Sequence, residues 1–224
     1  MSCTGARAWG QTVLTELVDW LQQPVFRALG APVSRAELIG FLSGVLTVYL
    51  VARQNVLNWP ISIVNVVMYF VVFWVSGLYA DSGLQLVYLA LAGYGWWQWL
   101  FGGRDHSRLT VTRTTRTEWL FLAAAGIAIT AILWVILRHQ TNSTVPLADS
   151  VTTALSLMAT YGQSRKKLES WWLWITADLI YIPLYGYKDL WLTALLYLVF
   201  LALCVLGLRE WSRAVRREPE PVTV

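Results

Sequence analysis

Apolar residues run almost unbroken over about 36–52, 60–77, 82–101, 118–137, 148–163, 169–187 and 190–210, separated by short polar stretches such as Arg53–Asn58, Gly102–Thr117 and Ser164–Leu168. A helix rises about 1.5 Å per residue and the hydrocarbon core of a bilayer is about 30 Å thick, so a crossing needs roughly 20 apolar residues. The pattern therefore predicts seven transmembrane helices. The fifth is the most polar, because Thr152, Thr153, Ser156, Thr160 and Gln163 dilute it. Only its place in a bundle lets it span. Residues 1–20 carry scattered polar groups (Gln11, Thr12, Glu16, Asp19) and no continuous apolar core ending in a small-residue cleavage site. They read as an interfacial amphipathic leader, not a signal peptide.

Composition agrees with a polytopic all-α membrane protein: 57% of residues are hydrophobic, 13% are charged, and the mean hydropathy is +0.52. A soluble domain carries about 25% charged residues. Cys3 and Cys204 form neither a disulfide framework nor a metal-ligand spacing, and are expected to be inert. The net charge of +4 is a matter of topology and not of nucleic-acid binding. Arg7, Arg27, Arg35, Arg138 and Lys188 fall on one side of the membrane; the other twelve of the 17 basic residues, among them Arg53, Arg104, Arg165, Lys166, Lys167 and Arg217, fall on the other. The richer side is expected to be cytoplasmic, with the amino terminus outside and the carboxyl terminus inside.

A shift of 112 residues superposes Trp59 on Trp171, Ile63 on Ile175, Tyr69 on Tyr181, Gly95 on Gly207 and Trp99 on Trp211. This predicts an internal repeat in which the first three helices match the last three. An even number of crossings separates the copies, so they point the same way and helix 4 is the connector. The expected organisation is a leader (1–35), a first three-helix repeat (36–101), a cytoplasmic loop with connector helix 4 (102–147), a second repeat (148–211) and a cytoplasmic tail (212–224). Parallel repeats of this kind are a transporter architecture, with the substrate held near the midplane between the halves.

Helix 6 places Trp171, Trp174, Asp178, Tyr181 and Tyr185 at steps of three and four, hence on one face. An ionisable group at membrane depth costs at least about 2.5 kcal/mol, which marks Asp178 as a functional candidate. Helix 5 carries a polar stripe of Asp149, Thr153, Ser156, Thr160 and Gln163; helix 3 offers Ser82, Gln85, Tyr88 and Ala92; helix 2 offers Ser62, Asn65 and Tyr69. Such stripes face protein or water, and together they predict a cavity of amides, hydroxyls and aromatic rings with one negative charge. That chemistry suits a flat ring bearing a polyol, and a cationic ring best. Several of these residues also have purely structural readings. Trp59, Trp74, Trp119, Trp134 and Trp191 lie near helix ends and are expected in the interfacial belt. Asn65 and Gln85 could serve as interhelical bonds, and Gly40-x-x-x-Gly44 as a close helix contact. Both histidines lie in loops, and there is no hydrolase motif, Walker loop or metal cluster, so an enzyme, a resident cofactor or an ATP-driven pump is not expected.

Three motifs carry a family resemblance: Leu78-Tyr79-Ala80-Asp81 with Leu84-Gln85; Tyr94-Gly95-Trp96-Trp97-x-Trp99; and Ala154-Leu155-Ser156 through Arg165-Lys166-Lys167-Leu168-Glu169-Ser170-Trp171-x-x-Trp174. From about residue 38 to residue 211 the chain resembles the PnuC family of bacterial nicotinamide riboside transporters. The resemblance implies a three-plus-one-plus-three fold similar to SWEET sugar transporters, a homotrimer in the inner membrane, and facilitated diffusion of nicotinamide riboside. It also implies trapping of the riboside through phosphorylation by a cytoplasmic kinase. It carries substrate-binding roles to Trp171, Trp174, Gln85 and Asn65; the helix stripes add Asp178, Tyr69, Tyr88, Tyr181 and Thr153. Asp178 stands where many members have Asn, and this acid suits the pyridinium of nicotinamide riboside and the thiazolium of thiamine alike. A proton-coupled carrier of the same fold, and a non-transporting scaffold, are the competing expectations.

Overall fold

The computed structural model describes residues 15–28, 31–75, 79–140, 145–187 and 191–217. Residues 15–22 are helical and lead into an antiparallel hairpin, β1 (Pro24–Ala28) and β2 (Ala31–Ser34). Seven long helices follow: α1 (Arg35–Ala52), α2 (Asn58–Val75), α3 (Tyr79–Phe101), α4 (Arg116–Gln140), α5 (Pro146–Ser164), α6 (Ser170–Tyr187) and α7 (Trp191–Arg217). Cys3 and the rest of residues 1–14 lie outside the described residues.

The hairpin is absent from the sequence reading, which has no strand in the leader. Pro24 and Pro32 suit a two-stranded ribbon, since each strand has a free edge where a missing N–H is harmless. Leu21 and Ala36 pack on Val72 and Met68 and tie this region to α2. Arg35 reaches back to the Trp20 carbonyl (3.1 Å) and Gln23 Oε1 (2.6 Å). Helix α7 runs to Arg217, beyond the apolar run that ends near 210, because Trp211 is fully buried and holds that turn against the bundle.

Neighbouring helices form a closed ring in the order α1, α2, α3, α5, α6, α7 and back to α1, with α4 outside it and packed on α5. Helix α4 exposes Leu120, Phe121 and Ile127 by more than 70% each. Such a surface is unstable in water and comfortable in lipid. Arg116–His139 and Ala194–Arg217 are each long and apolar enough to cross a membrane unaided, while Leu38–Ala52 and Asn58–Trp74 are shorter apolar helices.

Helix α5 solves its polarity locally. The hydroxyls of Ser150, Thr152, Thr153, Ser156 and Thr160 donate to carbonyls one turn back, at 2.6 to 2.9 Å. Each hydroxyl is thus satisfied without a partner helix.

One end of the bundle is sealed by three connections. In the α1–α2 turn Gln54 has φ 53°, and in the α5–α6 turn Lys166 has φ 47°; these positions are 112 apart, and Lys166 Nζ meets Gln54 Oε1 at 3.3 Å. The α3–α4 connection straps across them: Thr112 N donates to the Lys166 carbonyl (3.0 Å) and Leu168 N to the Thr112 carbonyl (2.9 Å). The Glu169 carboxylate accepts from Thr114 N (2.7 Å) and Thr114 Oγ1 (2.8 Å).

Candidate functional site

The ring encloses a cavity of about 360 Å³ in the half of the bundle nearest those turns. Each helix of the ring contributes part of its inner face. From α1 come Gly44, Thr47, Val48 and Val51; from α2 Asn58, Trp59, Ser62, Asn65 and Val66. Helix α3 adds Tyr88 and Ala92, and α5 adds Ser156, Thr160 and Gln163. Helix α6 supplies Trp171, Trp174, Asp178 and Tyr181, and α7 supplies Tyr197, Phe200 and Cys204. Of the residues singled out in the sequence, the structure brings together Asp178, Trp171, Trp174, Asn65, Tyr88 and Tyr181. Three others stand apart from this lining. Tyr69 donates to the Ala36 carbonyl (3.1 Å) over Gly40, Thr153 donates to the Asp149 carbonyl, and Gln85 is half-buried elsewhere on α3.

The floor of the cavity is built from tryptophans. Trp59 and Trp99 meet edge to face (5.5 Å, 89°), as do Trp171 and Trp211 (5.4 Å, 86°), and Trp99 and Trp211 touch at 6.1 Å. The indole N–H of Trp99 donates to the Gln163 carbonyl (2.9 Å) and that of Trp211 to the Val51 carbonyl (3.1 Å). Each bond repeats the other after a shift of 112 residues. Glycine is required twice: a Cβ on Gly95 would run into the Trp59 ring, and one on Gly207 into the Trp171 ring. The belt assignment of Trp59 is thus corrected. Its indole sits in the bundle because a glycine of α3 opens a slot for it, whereas Trp74 is exposed on the outer surface. The side chain of Trp191 lies outside the described residues.

Asp178 is 1% exposed, and Cys204 Sγ approaches its Oδ2 at 3.5 Å as a weak donor. Cys204 therefore belongs to the site; an isolated Cys in an apolar run gives no hint of such a neighbour. Among the described residues no Lys or Arg lines the cavity. The acid shares the lining with aromatic rings, and beyond Tyr181 the rings continue, with Tyr197 tilted against Tyr181 (4.5 Å) and stacked on Tyr185 (5.2 Å). Asn65 Nδ2 donates to Ser43 Oγ at 2.5 Å, which fixes the amide on α1. Asn58, Trp59, Tyr197 and Phe200 are lining residues that the stripes did not pick out. The 112-residue shift relates Trp59 to Trp171, Tyr197 to Gln85 and Phe200 to Tyr88, so the repeat was the signal that could have found three of them. Among the described residues there is no cluster of His, Cys, Asp or Glu fit to hold a metal.

The sequence model of a family described as nicotinamide mononucleotide transporter matches residues 34–213. The riboflavin/roseoflavin transporter RibM of Streptomyces davaonensis is 26% identical over 208 residues, covering 92% of this chain and 97% of its own. The nicotinamide riboside transporter PnuC of Neisseria mucosa is 27% identical, with coverage of 83% and 75%. The PnuC of Escherichia coli is 22% identical, with coverage of 84% and 89%. A crystal structure of the vitamin B3 transporter PnuC superposes with a TM-score of 0.63 at 25% identity, over 82% of this chain and 83% of that one. These relatives are transporters, not enzymes, and transport of vitamins or their precursors is common to them.

Proposed function

The chain belongs to the nicotinamide mononucleotide transporter family, and from that premise we propose that it takes up nicotinamide riboside by facilitated diffusion across the bacterial cytoplasmic membrane. The observation that carries this reading is the carboxylate of Asp178, set among aromatic rings in a cavity that, among the described residues, has no other carboxylate and no basic residue in its lining. A pyridinium ring satisfies that acid by charge and the rings by stacking and cation–π attraction. A phosphate finds no cation there, which favours the riboside over its mononucleotide. The same preference gives trapping a physical basis: once a cytoplasmic kinase phosphorylates the riboside, the product no longer fits the slot.

The 112-residue correspondences support two parallel three-helix repeats, α1–α3 and α5–α7, with α4 as connector. Alternating access is then a rocking of one repeat against the other about the tryptophan floor. The sealed end, where Arg53, Lys166, Lys167 and Arg113 gather, faces the cytoplasm by the charge rule. Asp178 and Tyr181 hold the ring, Trp171 and Trp174 stack on or gate it, and Asn65 and Tyr88 serve the sugar. Tyr69, Thr153 and Gln85 support the neighbouring packing. The exposed face of α4 suits lipid or a homotrimer contact, which native mass spectrometry decides.

A second reading, uptake of riboflavin, is favoured by the near-complete alignment with RibM. Uptake of labelled nicotinamide riboside into proteoliposomes, with riboflavin and thiamine as competitors, separates the readings. The expected result is saturable riboside uptake that Asp178→Asn and Trp174→Ala both slow, and that collapse of the pH gradient leaves unchanged. Saturable uptake of riboflavin alone selects the second reading, and uptake of none of the three refutes both.

A further inference from the structure

Most residues that line the cavity fall into pairs 112 positions apart, one from each half of the chain. The floor pair is matched, Trp59 with Trp171. One turn above it the match fails: α6 carries Trp174 where α2 carries Ser62, and a further turn along α6 carries Asp178 where α2 carries Val66. On α7 and α3 the corresponding pair is Cys204 and Ala92. Positions three and four apart on a helix share a face, so Ser62 stands over Trp59 as Trp174 stands over Trp171. In the ring of helices α2 lies opposite α6, and α3 opposite α7. The cavity is therefore asymmetric, with an indole, a thiol and the charge on the α6–α7 side and a hydroxyl, an alkyl group and a methyl on the α2–α3 side. Val66 and Ala92 themselves border the cavity, so neither has closed over the place where an indole on α2 would lie. Asn65, also on α2, adds an acceptor. Ser43 Oγ donates to the Ile39 carbonyl (2.6 Å), so toward Asn65 it accepts; it takes an Nδ2 proton and leaves Oδ1 as the accepting atom of the amide.

We infer that Ser62 is a specificity-determining residue: by holding a small hydroxyl side chain where the other half of the chain has an indole, it leaves the room in which the polyol of the substrate lies. The inference rests on the transport reading above and names what that site selects, a ring that carries a sugar over the same ring without one. A ring stacked on the α6 side, next to the Asp178 carboxylate, directs its substituent across the cavity toward α2. A ribose or a ribityl chain offers hydroxyls, which both donate and accept. The Ser62 hydroxyl answers in either sense, and Asn65 Oδ1 accepts. Neutral polar partners suit a polyol, whereas the carboxylate and the indole suit a cationic ring. The asymmetry thus orients the ligand as well as admitting it. An indole at position 62 would turn the slot into a near-symmetric sandwich for a bare ring, with no space left for the chain.

The test is equilibrium binding to the full-length protein in nanodiscs, with two pairs of probes in which a methyl group replaces the sugar. Nicotinamide riboside is measured against 1-methylnicotinamide, and riboflavin against lumiflavin. Whichever parent vitamin binds should bind the wild type about tenfold or more tightly than its methyl counterpart, as two lost hydrogen bonds require. In Ser62→Phe and Ser62→Leu that ratio should fall to near one, because the parent loses its room while the methyl compound keeps its place. Ser62→Ala, which keeps the room and loses one hydroxyl, should lie between. Both bulky variants should melt close to the wild type, since they extend into open space. With a parent vitamin still bound, a ratio near one in the wild type, or one that neither bulky variant changes, overturns the role of Ser62 and leaves the transport reading standing. So does a fold that rejects both bulky side chains, because room at position 62 is what the inference asserts. Failure of both parent vitamins to bind the wild type overturns inference and transport reading together.

Discussion

Replacing Gly207 by Ala is the sharpest probe of how the cavity floor is held. The new methyl would occupy the space of Trp171 Cζ2, Cη2 and Cε2. The ring has no room to retreat: Trp171 is 0% exposed and abuts Trp211 edge to face at 5.4 Å. Overpacking a filled core costs about 1–3 kcal/mol. At roughly 2–4 °C per kcal/mol for a chain of this size, the melting temperature should fall by about 2–12 °C. Gly95→Ala should do the same through Trp59, its counterpart 112 residues earlier. Gly83 and Gly93 provide the control, since a Cβ at either meets nothing within 4 Å. There the better helix propensity of Ala, up to about 1 kcal/mol, should leave stability equal or higher. Thermal unfolding of the four variants in one detergent, followed by tryptophan fluorescence, reads the sign directly. If Gly207→Ala melts at or above the wild type while Gly93→Ala melts below it, the glycine slots do not position the tryptophans.

Other substitutions address the sealed end and the acid. Lys166→Met removes an ammonium that lies 4.5 Å over the Trp99 ring and meets Gln54; a buried cation–π contact is worth about 2 kcal/mol, and a double-mutant cycle with Gln54→Ala should be markedly non-additive. Glu169→Ala withdraws the single oxygen, Oε2, that accepts from both Thr114 donors, and amide hydrogen exchange should speed up at Thr112 and Thr114 while the helices keep their protection. By contrast, Lys167→Ala should cost no more than about 1 kcal/mol, because its partner Glu118, at 2.9 Å, is 35% exposed and screened by solvent. Asp178→Asn should reduce the preference for a cationic ring over a neutral one of like shape, as measured by competition between nicotinamide riboside and riboflavin. An unchanged preference would remove the acid from the site.

What the sequence determined by itself was whatever is written in period and composition. Apart from the carboxyl-terminal end of α7, which runs seven residues further, the apolar runs lie within about three residues of the long helices, because helical rise and 3.6-residue periodicity act locally. The 112-residue correspondence was also visible, since Trp and Gly rarely recur together without a shared packing role. The stripe on helix 6 brought Asp178, Trp171, Trp174 and Tyr181 to one face for the same reason. Tertiary structure alone decided which stripes meet. Tyr69 and its counterpart Tyr181 hold matching positions, yet one caps Gly40 and the other borders the cavity, because their neighbours across the ring differ. The same applies to Trp59, which an end-of-helix position places in the belt until Gly95 on another helix opens a slot for it. The proximity of Cys204 to Asp178 and the hairpin before α1 likewise depend on where separate segments come to rest. A residue's face is set by its own helix, but what that face touches is set by packing between segments far apart in the chain.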